Sequence, residues 1–552
     1  MSPFRQLSVE PCRQGLRVSR LFGGLLSALL LPQLTLGQTQ PAWMEPFQQA
    51  YQQLQKGNIV SGTEQIAALW KANPADYQLA YAAGTALDST GHHREATGWY
   101  LKALKINPRF GPACNNLALN YASRGEFQKA VPLLQKVTQL EKGNARAFYN
   151  LGLVYLQLNH FLDAAQALSR ASELRPGDRD SLVRLAYANL MAGQRQDGMR
   201  ALETLLKLPG DGSESLLQAV QVLNAAGQYG QALEHIRKAN AVTTSSELSY
   251  EEANALFHLG QYKPASDILL KSHAAKQPGL DYYLLLGSSQ ALGGDLPGAV
   301  ETLQTAVKIA PQRPEPYHRL ALVFLEGYRD EEAGNVLSAG LKLIPNSPLL
   351  LYAEGIVNEV GGRYEKAIED MRRSLNAKSD QAEVWTSLGE VYTRVAGYDE
   401  AAEAYRNAMQ QGAAAETAVK YADLLIRLQR FAEAERLVRR VMESRHDIPQ
   451  AYLTLGKLYS AQKQYVAAEQ ALMKAIELDP DDASAYETLS VALQRLGRAK
   501  EAKSKSDLAA RKRELVRQRE RAAVLRAVLV PRGGNSSPSN CFDGQAGGKT
   551  RK

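Results

Sequence analysis

The chain has 552 residues, 45% of them hydrophobic and 22% charged, enough for several globular domains. Its three cysteines, Cys12, Cys114 and Cys541, are too few and too scattered for a disulfide framework. The net charge of +8 belongs to the ends: residues 498–552 hold 15 Lys and Arg against 5 Asp and Glu, residues 1–20 hold 4 against 1, and the body between them is mildly acidic.

In chain order, Arg5, Arg13, Arg17 and Arg20 precede an apolar run over 21–31. Pro32 and then Thr35-Leu36-Gly37 follow, with small residues suited to a cut before Gln38. A basic segment, a short apolar core and a small-residue site describe a secretory signal peptide over 1–37, so export to a periplasm or to the outside is expected. The run is shorter than the ~20 residues of a spanning helix, though an uncleaved anchor is the alternative. Cys12 precedes the run, where a lipoprotein cut would not use it. Residues 38–42 are a short linker.

From Trp43 onward one stencil repeats. In its best copy, over 451–480, Tyr452, Leu455, Gly456 and Tyr459 fall at helical spacing, and so do Ala468, Leu472 and Ala475. The polar break Gln462-Lys463-Gln464 between them is short enough only for an antiparallel helix pair, and Asp479-Pro480 stops the second helix. Steps of 33 or 34 residues from Ala468 land on Ala434, Ala401, Ala367, Ala333, Ala299, Ala265, Ala232, Gly198, Ala164, Ala130, Ala96 and Gly62, and downstream on Ala502. The facing position of the first helix is also small: Gly84, Ala118, Gly152, Ala186, Gly287, Ala321, Gly355, Gly389, Ala422 and Gly456. Small residues at both positions let two helix backbones approach closely. No strand-like run of alternating Val, Ile and Thr interrupts this, so the class is all-α. Cys114 falls at a packing position, which suggests a buried free thiol.

The pattern loosens over 178–279. Glu252 replaces the usual leucine, Pro209-Gly210-Asp211-Gly212-Ser213 is a flexible joint, and Thr243-Thr244-Ser245-Ser246 is a polar gap. Drift in a tolerant array and a hinge between two arms both fit. Residues 498–530 read as a basic helix with Leu508, Leu515, Ala522 and Leu529 every seven residues. Such a helix can cap the last repeat or lie on an anionic membrane surface. Residues 531–552, rich in Gly, Ser and Asn, read as a disordered tail.

The period and its small-residue pairs resemble the tetratricopeptide repeat (TPR) family over residues 43–516. The resemblance implies a right-handed superhelical solenoid of about fourteen helix-turn-helix units, ending in the basic C-terminal helix. It also implies that first helices line a concave groove where protein or peptide partners bind. Residues placed there are Tyr81, Asn115, Asn116, Leu119, Tyr149, Asn150, Leu153, Tyr187, Tyr250, Asn254, His318, Tyr352, Glu390, Asp423 and Lys457. Tyrosine, with an apolar face, a hydroxyl and little entropy to lose, suits peptide capture. The lysine and asparagine clamp of chaperone-binding members looks absent, because Tyr149 and Leu153 stand at such positions. Asn116 and Asn150, one repeat apart, resemble the asparagine ladder in the TPR arm of O-GlcNAc transferase, whose catalytic half is missing here.

Catalytic chemistry is not apparent. Residues 544–550 look like a phosphate loop, but Asp543 stands where a glycine is needed and no helix follows. The histidines lack zinc-site spacing, and the one adjacent pair, His92-His93, reads as a solvated turn. Asn535-Ser536-Ser537 is a glycosylation sequon, meaningful only in a eukaryotic secretory route. Glu331-Glu332 and Asp481-Asp482 suit helix starts. With no cofactor and no nucleic acid expected, the sequence describes an exported, non-catalytic scaffold for protein or peptide partners. Narrower alternatives are a component of polysaccharide or outer-membrane assembly machinery, and an accessory arm of a separately encoded enzyme.

Overall fold

A computed structural model describes residues 41–210, 212–238, 245–272, 278–445 and 447–513. Among the described residues no strand occurs, and fourteen antiparallel helix pairs follow one another. The first joins Met44–Gln55 to Ile59–Ala72, and the last joins Ala483–Arg495 to a helix over 499–513. Helices this short are marginal alone in water, so they persist by burying a face against neighbours. The repeated small residues are where that burial is tightest. All fourteen second-helix positions, from Gly62 to Ala502, are buried.

The facing glycines show why. A Cβ on Gly152 would stand 2.5 Å from Cγ of Leu168, four residues beyond Ala164 of the facing helix. Gly84 meets Tyr100 and Gly389 meets Tyr405 in the same relation. The turn inside each pair is equally regular. Its second residue always has positive φ, supplied by glycine in nine pairs and by Asn159, Tyr328, Ala396, Gln429 or Lys463 in the other five. This left-handed residue ends the first helix and reverses the chain.

The chain divides into two compact units, one up to Glu251 and one from Glu252, inside the stretch where the sequence pattern loosens. In the first unit an aromatic-rich core includes Trp43, Phe47, Tyr81, Tyr100 and Phe110. Cys114 is a buried free thiol, as its packing position suggested. The first unit also buries Glu251, neighbour of the Glu252 marked in the sequence, and the Asn224 amide donates to its carboxylate at 2.8 Å. In the second unit the core is continuous through Leu303, Leu337 and Leu350. A further core runs from Ala367 and Met371 to Val438 and Leu458.

The helix over 499–513 is the second helix of the fourteenth pair, with Ala502 and Ala509 buried. Its basic residues are engaged locally: Lys512 pairs with Asp481 at 2.8 Å, Arg513 pairs with Glu487, and Lys505 and Lys512 lie beside the Tyr486 ring. Arg498, just ahead of it, bridges Glu469 and Glu501. The expected leader, residues 38–40 of the linker, residues 514–530 of the basic segment, and the tail over 531–552 lie outside the described residues. Among the described residues no helix is long and apolar enough to cross a membrane.

Candidate partner-binding face

First helices of successive pairs lie against one another, as Pro314–Glu326 does against Pro348–Val360 and Ala415–Arg427 against Pro449–Ala461. No two second helices among the described residues touch to a similar extent. Within each unit the first helices therefore line the inner side, and their side chains meet across pairs.

They meet as rungs. In the first unit, the Asn116 amide donates to the Tyr81 hydroxyl at 3.2 Å, and Asn150 donates to Asn115 at 3.1 Å. Arg184 donates to the Tyr149 hydroxyl at 2.7 Å. Asn115 also donates to Asn116 at 3.2 Å, so these amides form one connected row. In the second unit, Arg319 donates to the Leu284 carbonyl at 3.0 Å and to Ser288. Tyr352 and Ser387 share a hydrogen bond of 2.9 Å. Three charged steps follow: Arg394 with Glu359 at 3.4 Å, Lys420 with Glu390, and Lys457 with Asp423 at 2.5 Å. Thr454 donates to Asp423 as well, at 2.9 Å.

The rungs are half-buried, which tunes their ionisation. Burial pushes the hydroxyls of Tyr81 and Tyr149 up, partly offset by the hydrogen bonds they accept. The Tyr352 hydroxyl is pushed up to about 12, chiefly by burial, so all three remain neutral donors at any ordinary pH. Burial also raises the Glu359 carboxyl, against the pull of Arg394.

Of the residues placed in the groove by sequence, Tyr81, Asn115, Asn116, Tyr149, Asn150, Tyr352, Glu390, Asp423 and Lys457 are members of these rungs. Leu119, Leu153, Tyr250 and Asn254 are half-buried on first helices, and so is Tyr187, whose ring meets Phe161 edge-on. His318 is buried, only 8% exposed, and burial lowers its pKa to about 4, so it is neutral and packed rather than presented. Sequence reasoning did not mark Arg184, Arg319, Ser387, Arg394, Lys420 or Thr454. Four of those bond partners lie 35 residues after their acceptor or mate, a signal that a search at that separation finds. His93 starts a helix with its side chain 42% exposed, and its Nδ1 lies 2.5 Å from the Asp88 carboxylate. Among the described residues no group of three or more His, Cys, Asp and Glu side chains is placed to hold a metal ion.

Comparison with known proteins bears on the repeated unit. Tetratricopeptide repeat families match residues 121–180, 415–440, 449–482 and 471–504. Those matches fall on the helix pairs and their small-residue crossings. The chain is a long tetratricopeptide array. A further family, the C-terminal domain of cilia and flagella-associated protein 70, matches the array over 224–424. The array is similar to human protein O-mannosyl-transferase TMTC3, 24% identical over 177 residues and 29% of this chain. It is also similar to a tetratricopeptide repeat-containing protein of Methanocaldococcus jannaschii, 25% identical over 193 residues and 33% of this chain. The alignments span 19% and 34% of the lengths of those two relatives. Among solved structures it is similar to the APC/C hetero-tetramer Cut9–Hcn1, with TM-score 0.37 and 15% identity over 80% of this chain and 95% of that one. Yeast Tom70 is similar at TM-score 0.38 and 17% identity, over 76% and 96%.

Proposed function

We propose that the array is a non-catalytic scaffold that holds protein or peptide partners along the inner face of its first helices. The observation that carries this reading is the succession of inter-pair rungs. Side chains already tied to a neighbour have little rotamer freedom left to lose when a partner arrives, so each modest contact counts more fully toward affinity. Tyrosine rings offer apolar faces, and the charged steps, each partly exposed, can exchange a mate for a partner's group.

Export belongs to the same proposal and is supported by the basic segment, apolar run and small residues at 1–37. The partners would then be envelope or extracellular proteins, and assembly of surface polymers or of the outer membrane is the narrower role that fits an exported array. A lipid-facing use of the basic segment is supported by the apolar stripe of Leu508, Leu515 and Leu529 beside its arginines.

The test is affinity capture by the full chain from the native envelope, with wild type compared against the triple variant Tyr149→Ala, Asn150→Ala, Tyr352→Ala. Partners lost from the variant, at unchanged helicity, are the expected result. An identical set of partners would overturn the inner-face reading.

A further inference from the structure

Three residues beyond the small residue of a first helix, the side chain reaches the groove between the second helix of its own pair and that of the pair before. Tyr155 stands there and its hydroxyl accepts from Gln135 of the preceding second helix at 2.7 Å. Tyr459 accepts from Arg439 in the same way at 3.2 Å, and Arg372 packs 5.7 Å from the centroid of the Tyr392 ring. Tyr121 and Phe324 hold the position in two other pairs, and leucine holds it in several. Where it is an amide, the amide is bonded: Gln290 accepts from Thr302 at 2.7 Å, and Asn358 donates to Asp370 at 2.9 Å.

Asn189 breaks this rule. It is 6% exposed, yet its amide makes no hydrogen bond to any described residue. The residue opposite, where Thr302 and Asp370 stand in the other two pairs, is Ala201. Beside Asn189 lies an open groove of about 740 Å³, with Leu162, Ala165, Leu182, Leu185 and Ala201 on its apolar wall and charged side chains, Arg170, Glu173, Asp197 and Arg200, also lining it. Ser169, the counterpart of Gln135, Arg372 and Arg439, faces it too. An amide free to bond and opening onto a groove with an apolar wall and a polar rim is the form of a binding site.

We propose that this groove is a socket for a tyrosine side chain of a partner protein, with the ring against Leu182 and Leu185 and the hydroxyl bonded to the Asn189 amide. The array itself shows what fits, because its own tyrosines fill the equivalent groove at Tyr155 and Tyr459 with the ring inside and the hydroxyl met by a polar group. All 25 tyrosines of the chain lie within the described residues, and the aromatic residues outside them are Phe4, Phe22 and Phe542, so no undescribed segment of this chain can supply a phenol. The socket lies among second helices and does not depend on the inner-face reading.

The probe is N-acetyl-tyrosinamide, followed on the full-length chain by saturation-transfer NMR. Saturable binding at one site is expected, with N-acetyl-phenylalaninamide about fivefold weaker for want of one neutral hydrogen bond. Asn189→Tyr, which fills the socket from within as Tyr155 does, should abolish binding without lowering the melting temperature. Tyr155→Asn should open a second socket and double the number of sites. Absence of saturable binding, binding unchanged in Asn189→Tyr, or equal affinity for the phenylalanine probe would each overturn the assignment. Self-association of the wild type that Asn189→Tyr removes would also overturn it, by making a second copy the donor of the ring.

Discussion

Substituting Gly125 by alanine isolates the backbone contribution of the turn within a pair. Gly125 has φ 77°, and a Cβ placed there would meet no atom within 4 Å, so no steric cost enters. Holding an L-residue in the left-handed region costs about 1–2 kcal/mol. Restricting the unfolded chain by a methyl group returns about 0.4–1 kcal/mol. The third pair should therefore lose roughly 1 kcal/mol of local stability. Ala396 is the mirror case, at φ 60° and exposed. Ala396→Gly should stabilise the eleventh pair by a similar amount, because an exposed methyl gives up little packing. Native-state hydrogen exchange on the full chain reads both effects as opposite changes of about fivefold in protection of the flanking helices, since 1.4 kcal/mol is tenfold. Changes of the same sign, or changes spread evenly over all pairs, would refute the reasoning.

His318 is neutral in the folded state with its pKa drawn down to about 4 by burial, while the unfolded chain protonates near 6.5. A base lowered by folding lends stability that is complete above the unfolded pKa and is lost as pH falls from about 6.5 to about 4, by up to roughly 3 kcal/mol. Exchange of the helices around Pro314–Glu326 should quicken over that window, and His318→Leu should flatten the dependence. Ala367→Glu places a charge at a site with 0% exposure. It should cost several kcal/mol and quicken exchange from about 348 to 410 while the first unit keeps its protection, and uniform unfolding would refute nearest-neighbour coupling. Truncation after Arg513 should leave melting of the fourteenth pair unchanged and remove any salt-sensitive binding to anionic vesicles. Binding that survives the truncation would place the lipid contact elsewhere.

The fold was legible because one constraint recurs: Ala468 and its counterparts must be small where two helices cross, and each of them is buried. The turns were half legible. Nine glycines announce a left-handed residue, but Tyr328 and Lys463 adopt the same conformation without any local sign of it. The rungs were visible only as residue types. Repeat spacing aligns like with like, whereas the bonds join unlike positions one residue out of register, Tyr149 to Arg184 or Tyr352 to Ser387. His318 and Asn189 lie beyond such reading, since burial of the first and isolation of the second depend on which side chains the neighbouring helices present.

The rungs also have a sense. In the second unit, from Leu284 with Arg319 to Asp423 with Lys457, wherever donor and acceptor are distinct, the acceptor belongs to the earlier pair and the donor to the later one, whereas in the first unit Arg179 to Ser215 and Asn224 to Glu251 run against Asn116 to Tyr81. The inner face of the second unit is thus vectorial, like a ratchet track rather than a plain groove. An extended chain laid along it from one end meets a different order of groups from the same chain reversed. A partner that competes for these groups is therefore held in one orientation, and a reversed-sequence peptide of identical composition should bind less well.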